Sequence, residues 1–385
     1  MNKRIFVFSH DPGGANTIVP LVPALKERGY DVLLYGKNFA LKKYADAALE
    51  ASDLSNELPE STVENVHELI QRKKPDAIIT ATSAIDSTEK YLWLAAERQG
   101  IPSFAILDQW CNYGVRFSPY DTTQLTQFAN DKRFPYLPNF ILLMDELAKR
   151  EAVRDGLPEN RLIIVGQPYF ETVKKKVASI SEDDKRNYRR ACNVASDALL
   201  FIFASEPLSQ EQGESGRYGY TEISSFRFLA EGIVSKCRKF NRRATIIIRP
   251  HPREQQGNLD NVLSSLPSDV IAMLFDDQSD VHLAMFASDV VCGMSSMFLI
   301  EAAIIGKPVL SLLPGLCTEN PFVLDRLEVV RSITDRETLE RKLDQIFDKN
   351  RDETCSRFSN FIDNPVGRVL DVLESKILQW KNVER

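Results

Sequence analysis

Short β-branched and aromatic runs alternate with helix-length segments along this chain, and that alternation leaves few folds open. Ile5 to Phe8, Asp31 to Tyr35, Ala77 to Thr80 and Ser103 to Leu107 read as strands, followed by Phe140 to Met144 and Leu162 to Val165. Helical stretches separate them: about Ala15 to Arg28, stopped by Gly29, then Val63 to Arg72, and Thr88 to Gln99 before Gly100. A strand buried on both faces reads as a continuous apolar run. A strand–helix–strand series built from such runs gives a mostly parallel sheet with helices on both faces. A second series starts at Leu199 to Ala204 and continues through Thr245 to Arg249, Ile271 to Phe275, Val290 to Cys292 and Val309 to Leu312. Helices at about Tyr220 to Phe240, Val281 to Ala287 and Met297 to Ile305 alternate with those strands.

The expected fold is therefore α/β, with two Rossmann-like domains and a cleft between them. Residues 1–170 form the first domain and 198–350 the second. Between them, 171–197 reads as a linker plus an exposed helix, because Lys174 to Arg190 is charged and poor in core-forming residues. Residues 351–385 read as a helical tail, the end of a charged helical region starting near Arg336. A chain of 385 residues has the length for two or three domains.

Composition narrows the function classes. The net charge of −6 offers no general attraction to nucleic acid or anionic lipid. The six cysteines are scattered without metal spacing, and with only four histidines a multi-histidine metal site is not expected. The first ten residues carry too short an apolar run for a signal peptide, and no stretch is long enough to span a bilayer. The expected location is cytoplasmic, with peripheral membrane association left open.

Two segments carry the chemistry of the second half. Ile246-Ile247-Ile248 ends in Arg249-Pro250-His251-Pro252-Arg253, a stiff loop with cations at the end of a parallel strand. Arg249, His251 and Arg253 suit an anionic ligand such as a pyrophosphate. The same loop also fits a surface with ordinary salt bridges. The second segment, Val290 to Ala303, reads strand, Gly293 turn, Ser295-Ser296, helix. A helix N-terminus offers free N–H groups and a positive dipole end to phosphate. Ser295 and Ser296 add hydroxyls, and Glu301, one turn on, could accept bonds from ribose hydroxyls. The alternative is that Ser295 is an N-cap. Ser205, with Glu206, ends the first strand of this half and is a further phosphate or base candidate. His282 reads as a packing residue in an amphipathic helix.

These motifs resemble a known group. Arg249-Pro250-His251-Pro252, then Ser295-Ser296, then Glu301 to Val309 in the order EAAIIGKPV, look like the carboxyl-terminal half of nucleotide-sugar glycosyltransferases of the GT-B fold. They resemble in particular the HP and SS motifs of bacterial capsule polysialyltransferases, Kdo transferases and CDP-glycerol glycerophosphotransferases. Val165-Gly166-Gln167-Pro168 is similar to the turn ending the first domain of many such proteins. The resemblance covers about a fifth of the chain and implies that the histidine and serines contact the donor's phosphate. It also implies chemistry without a metal or other cofactor, the nucleotide-activated sugar being a substrate.

The first half is then expected to hold the acceptor and the base. Ser9-His10-Asp11-Pro12-Gly13-Gly14 follows the first strand. Gly13 and Gly14 permit close backbone approach, and His10 or Asp11 can take a proton from a hydroxyl. A capping aspartate beside a solvated histidine is the plainer alternative. Asp108-Gln109-Trp110 ends a later strand and offers an aromatic face beside polar groups, suited to an acceptor sugar or to a structural loop with a buried indole.

The leading expectation is a glycosyltransferase moving a sugar or sugar-like group from a nucleotide donor to a hydroxyl of a glycan or sugar acceptor, in surface polysaccharide or glycan synthesis. The rivals are a nucleotide-sugar 2-epimerase or hydrolase of the same fold, and a non-catalytic nucleotide- or carbohydrate-binding protein.

Overall fold

In the computed structural model every one of those eleven runs is a strand. The structure describes residues 3–83, 85–213, 217–251, 254–255, 257–267, 271–276, 279–348 and 363–383. The chain divides into two compact units, Met1–Thr172 with Phe361–Arg385, and Val173–Asn360.

The first unit holds strands β1 (Arg4–Ser9), β2 (Asp31–Gly36), β3 (Ser52–Asp53), β4 (Ala77–Thr80), β5 (Ser103–Ile106), β6 (Phe140–Leu143) and β7 (Leu162–Ile164). Their order is β3-β2-β1-β4-β5-β6-β7, and all neighbours pair in parallel. Side chains alternate across the sheet: Ile5 and Val7 enter one core, Phe6 and Phe8 the other, and all four are fully buried. Burial on both faces is why β1 reads as an unbroken apolar run.

Two local features differ from expectation. The helix expected over Ala15 to Arg28 is two helices, Pro12–Ile18 and Leu21–Glu27. Pro20 lies between them, lacks an N–H and clashes with a continuing turn, whereas Pro12 sits at a helix start where no N–H is needed. The short edge strand β3 and the helix Phe39–Asp46 were not anticipated.

The second unit holds β8 (Leu199–Ala204), β9 (Ala244–Arg249), β10 (Ile271–Phe275), β11 (Val290–Gly293) and β12 (Val309–Ser311). The order is β10-β9-β8-β11-β12, again all parallel. Ile246 and Ile248 pack on one face with Phe201 and Phe203, and Ile247 on the other with Leu200 and Ile202. The charged stretch before β8 forms the helices Tyr169–Ala178 and Glu182–Ala191. The latter is mostly exposed but seats Tyr188 beside Ile202 and Ile247.

Beyond the helix Arg336–Phe347, the chain returns to the first unit. The helix Pro365–Val383 buries Val366, Val369, Leu370, Leu373 and Ile377 in the core that contains Ile5 and Val7. Arg28 pairs with Asp371 at 2.9 Å and Glu374 at 3.0 Å, and the Trp380 indole donates to the Gly100 carbonyl. Among the described residues, no helix is long and apolar enough to cross a membrane.

Candidate functional site

Open parallel sheets bind ligands at the carboxyl ends of their strands, where the strand order reverses. Each sheet here has one such point. In the first unit the chain leaves β1 toward β2 and β3, then resumes on the other side at β4. In the second it leaves β8 toward β9 and β10 and resumes at β11. A carboxylate and a serine bridge each of these points.

In the first unit the bridge is Asp11, after β1, and Ser83, after β4. The Ser83 hydroxyl donates to Asp11 Oδ2 at 3.0 Å. The other Asp11 oxygen lies 2.6 Å from His10 Nδ1. Asp11 stands at the N-cap of Pro12–Ile18, yet its side chain makes no capping bond. It serves its neighbours instead, which removes the capping explanation. His10 is buried, not solvated, and Asn38 donates to its Nε2 at 2.9 Å. With Nε2 accepting, the proton sits on Nδ1 and is given to Asp11. Asn38 takes a φ of 47°, an uncommon conformation for a residue other than glycine. The hydrogen bond to Asp11 is the main reason the His10 pKa lies above its ordinary value, against the opposing effect of burial.

Asp108, after β5, joins this edge. A Cβ on Gly13 would fall 2.1 Å from Asp108 Oδ2, so only glycine admits that carboxylate. Gly14 is similarly tight against Ala81. Arg116 reaches Asp108 Oδ1 at 3.2 Å and the Thr82 hydroxyl at 2.7 Å. Gln167, from the turn after β7, holds the Asp108 carbonyl at 2.9 Å. Burial raises the Asp108 pKa and the Arg116 charge opposes it. Gln109 is partly exposed beside Gly13. Trp110 is not an open aromatic face. It is 4% exposed, donates to Asp145 at 2.7 Å and stacks on Phe170. Its indole nitrogen needed a partner once buried, and Asp145 supplies it.

Sequence reading missed Glu89, which looks like an ordinary acidic residue in the first turn of the helix Thr88–Arg98. It is 1% exposed, and neither carboxyl oxygen has a hydrogen-bond partner. Burial drives its pKa well up, Asp86 and Asp11 add to this, and Lys37 opposes it. A carboxyl whose folded pKa is raised gives its full stability below the unfolded value and loses it as pH rises through the folded one. Glu89→Gln is therefore expected to unfold at a higher temperature than wild type at pH 8, with the gap closing toward pH 4. Thermal unfolding at both pH values measures this, and a gap that does not change with pH would show Glu89 to be ionised.

In the second unit the bridge is Glu206, after β8, and Ser295, after β11. Glu206 accepts from the Ser295 N–H at 2.7 Å and the Ser295 hydroxyl at 3.2 Å. Ser296 is the N-cap of Met297–Ile304 without a capping side-chain bond, and its buried hydroxyl has no partner. Gly293 is required where β11 ends: a Cβ there would lie 2.7 Å from Leu299 and 2.9 Å from the Ala204 carbonyl. Ser205 donates to Glu254 at 2.8 Å, and Glu254 accepts the His251 N–H at 3.1 Å. This fixes the His251 loop to the end of β8. Glu301 is buried 3.8 Å from His282 Nε2, so the histidine set aside as packing adjoins a candidate residue.

Arg249 is committed elsewhere. Its guanidinium donates to Asp276 Oδ2, to the Ser279 hydroxyl and to the Ser279 carbonyl, each at 3.1 Å. Arg253 lies outside the described residues. Among those residues, no group of three or more histidine, cysteine, aspartate or glutamate side chains could hold a metal ion.

No family model matches the chain, and no curated relative matches it. Solved structures do. UDP-GlcNAc 2-epimerase from Methanocaldococcus jannaschii is 16% identical, with a TM-score of 0.66 over 97% of this chain and 99% of its own. UDP-GlcNAc 2-epimerase from Neisseria meningitidis, solved with UDP-GlcNAc bound, is 16% identical, with a TM-score of 0.67 over 98% of this chain and 100% of its own. A glycosyltransferase from Rickettsia africae ESF-5 is 12% identical, with a TM-score of 0.67 over 98% and 99%. At these identities the likeness establishes the fold: two parallel-sheet α/β domains of the GT-B type.

Proposed function

We propose that this chain is an enzyme acting on a nucleotide-activated sugar, and that its chemistry is 2-epimerisation of the sugar rather than transfer to an acceptor. The nucleotide phosphate is assigned to the second unit: Ser295, Ser296 and His251 bind it, Ser205 and Arg249 hold the surrounding loops, and Glu301 takes the ribose. The acid–base groups are assigned to the edge of the first unit formed by His10, Asp11, Gly13, Gly14, Asp108 and Gln109. The likeness to two UDP-GlcNAc 2-epimerases across nearly the whole chain supports this reading.

The observation that carries it is the pair of proton-transfer centres at one sheet edge. C2 has no neighbouring carbonyl, so inverting it requires the C1–O bond to UDP to break as a proton leaves one face and to re-form as another proton arrives at the opposite face. That takes two titratable groups, whereas transfer to an acceptor needs one base. The Asp11–His10 pair and the separate, burial-raised Asp108 are two such groups. Transfer remains the second reading, supported by the order of the HP and SS motifs and by the glycosyltransferase likeness.

Incubation with UDP-GlcNAc in deuterated water, followed by NMR, tests the proposal. Epimerisation yields the 2-epimer with deuterium at C2. Release of UDP only when a sugar acceptor is added supports transfer, and release of free sugar without acceptor supports hydrolysis. Binding with no consumption of any UDP-sugar would leave a non-catalytic protein. The phosphate assignment carries its own prediction. Ser295→Ala with Ser296→Ala is expected to weaken UDP binding by about 1–3 kcal/mol while leaving uridine unchanged, read by calorimetric titration. Equal losses for both ligands would make the pair a structural cap.

A further inference from the structure

The Ser295 turn already holds an acidic group of the protein's own, whose pKa burial raises and the bonds from Ser295 lower. Glu206 places its carboxylate on the Ser295 N–H and hydroxyl, with the Ser296 and Met294 N–H groups also drawing on it. The fit is incomplete. The Ser296 hydroxyl is buried without a partner. The hydroxyl of Tyr220, which is 1% exposed, faces Ser295 and Glu206 without a hydrogen bond of ordinary length and angle. The two Glu206 oxygens serve Ser295 and the neighbouring N–H groups but leave the Ser296 hydroxyl unmet. A terminal phosphate has three and more charge, so it can serve the same N–H groups and supply acceptors for these two hydroxyls as well. A buried hydroxyl with no partner carries a desolvation cost that such a ligand removes.

We infer that Glu206 is a displaceable internal anion, occupying the phosphate position of the second unit until a nucleoside diphosphate replaces it, and that Tyr220 is a further phosphate ligand. This rests on assigning the phosphate to the Ser295–Ser296 turn. Every diphosphate that binds must first move a seated carboxylate. Glu206 therefore sets a threshold that weaker anions fail to cross, and the site selects for phosphate charge.

Calorimetric titration of the full chain with UDP, inorganic pyrophosphate and uridine tests this. Glu206→Gln is expected to bind UDP and pyrophosphate about tenfold more tightly than wild type, with uridine unchanged, because a neutral amide competes less well than a carboxylate for charge-assisted bonds. Glu206→Asp, whose shorter arm withdraws from the Ser295 N–H, is expected to act in the same direction and covers the case where the amide variant folds poorly. Tyr220→Phe is expected to lose several-fold in UDP affinity and nothing with uridine. If both Glu206 variants bind UDP no more tightly than wild type while the double serine variant binds it more weakly, phosphate sits at the turn but Glu206 is not displaced, and the inference fails alone. If UDP and uridine bind every variant equally, the phosphate assignment fails and the inference falls with it.

Discussion

Asp11→Asn is expected to lower kcat about 100- to 10,000-fold, the usual range for a lost acid–base group, while UDP affinity stays unchanged. Asparagine keeps the shape and one oxygen, so the Ser83 hydroxyl retains an acceptor and the helix start survives. What disappears is the charge that accepts the His10 Nδ1 proton. That hydrogen bond is the main cause of the raised His10 pKa. The His10 pKa should therefore fall in the variant, and the acidic limb of its residual pH–rate profile should move to lower pH. His10→Ala, measured beside it, separates the roles. Near-normal rates in His10→Ala with loss in Asp11→Asn would make Asp11 the sole base. Near-normal rates in both would shift the chemistry to Asp108.

Arg249→Ala is expected to cost about 3 kcal/mol of stability, because it breaks a largely buried ion pair from one side. The two side chains are each 14% exposed. Asp276 would keep its bond from the Tyr188 hydroxyl but lose the guanidinium that balances its charge. For a unit of this size the thermal midpoint should fall by about 6–12 °C. UDP affinity of the folded fraction should change less than tenfold. A variant as stable as wild type that no longer binds UDP would make Arg249 a phosphate ligand and remove the structural role.

The contrast between these residues shows what a sequence can carry. Both cores were legible, because strands such as Ile5 to Phe8 and Thr245 to Arg249 are buried on both faces and need apolar residues at every position. The edge strand Ser52–Asp53 was not, since two polar residues at a sheet margin bear no such constraint. At the candidate site, strand ends were legible and partners were not. Arg249 was visible as a cation after β9, but Asp276 and Ser279, which claim it, lie 27 and 30 residues downstream. Asp11 read equally well as a cap or a base until its bonds to His10 and Ser83 were seen. Glu206 stood in the sequence with Ser205 as a phosphate or base candidate after a strand, without a partner to choose between the two. Its role depends on Ser295, 89 residues away, which the strand order brings beside it. Glu89 gave no signal at all, because a buried acid and a solvated one share the same helical position.

The helix Pro365–Val383 bears on how the polypeptide emerges from the ribosome. It supplies Val366, Val369, Leu370, Leu373 and Ile377 to a core whose other members come from the first 165 residues. Translation therefore delivers all seven strands of the first sheet long before the helix that covers part of one face. Throughout the synthesis of Val173–Asn360 the nascent amino-terminal unit carries a bare apolar strip, the kind of surface that chaperones recognise and that drives premature association. Among the described residues, the core clusters of the second unit draw only on Tyr188 to Phe347, so all of their members are available once Phe347 has cleared the exit tunnel.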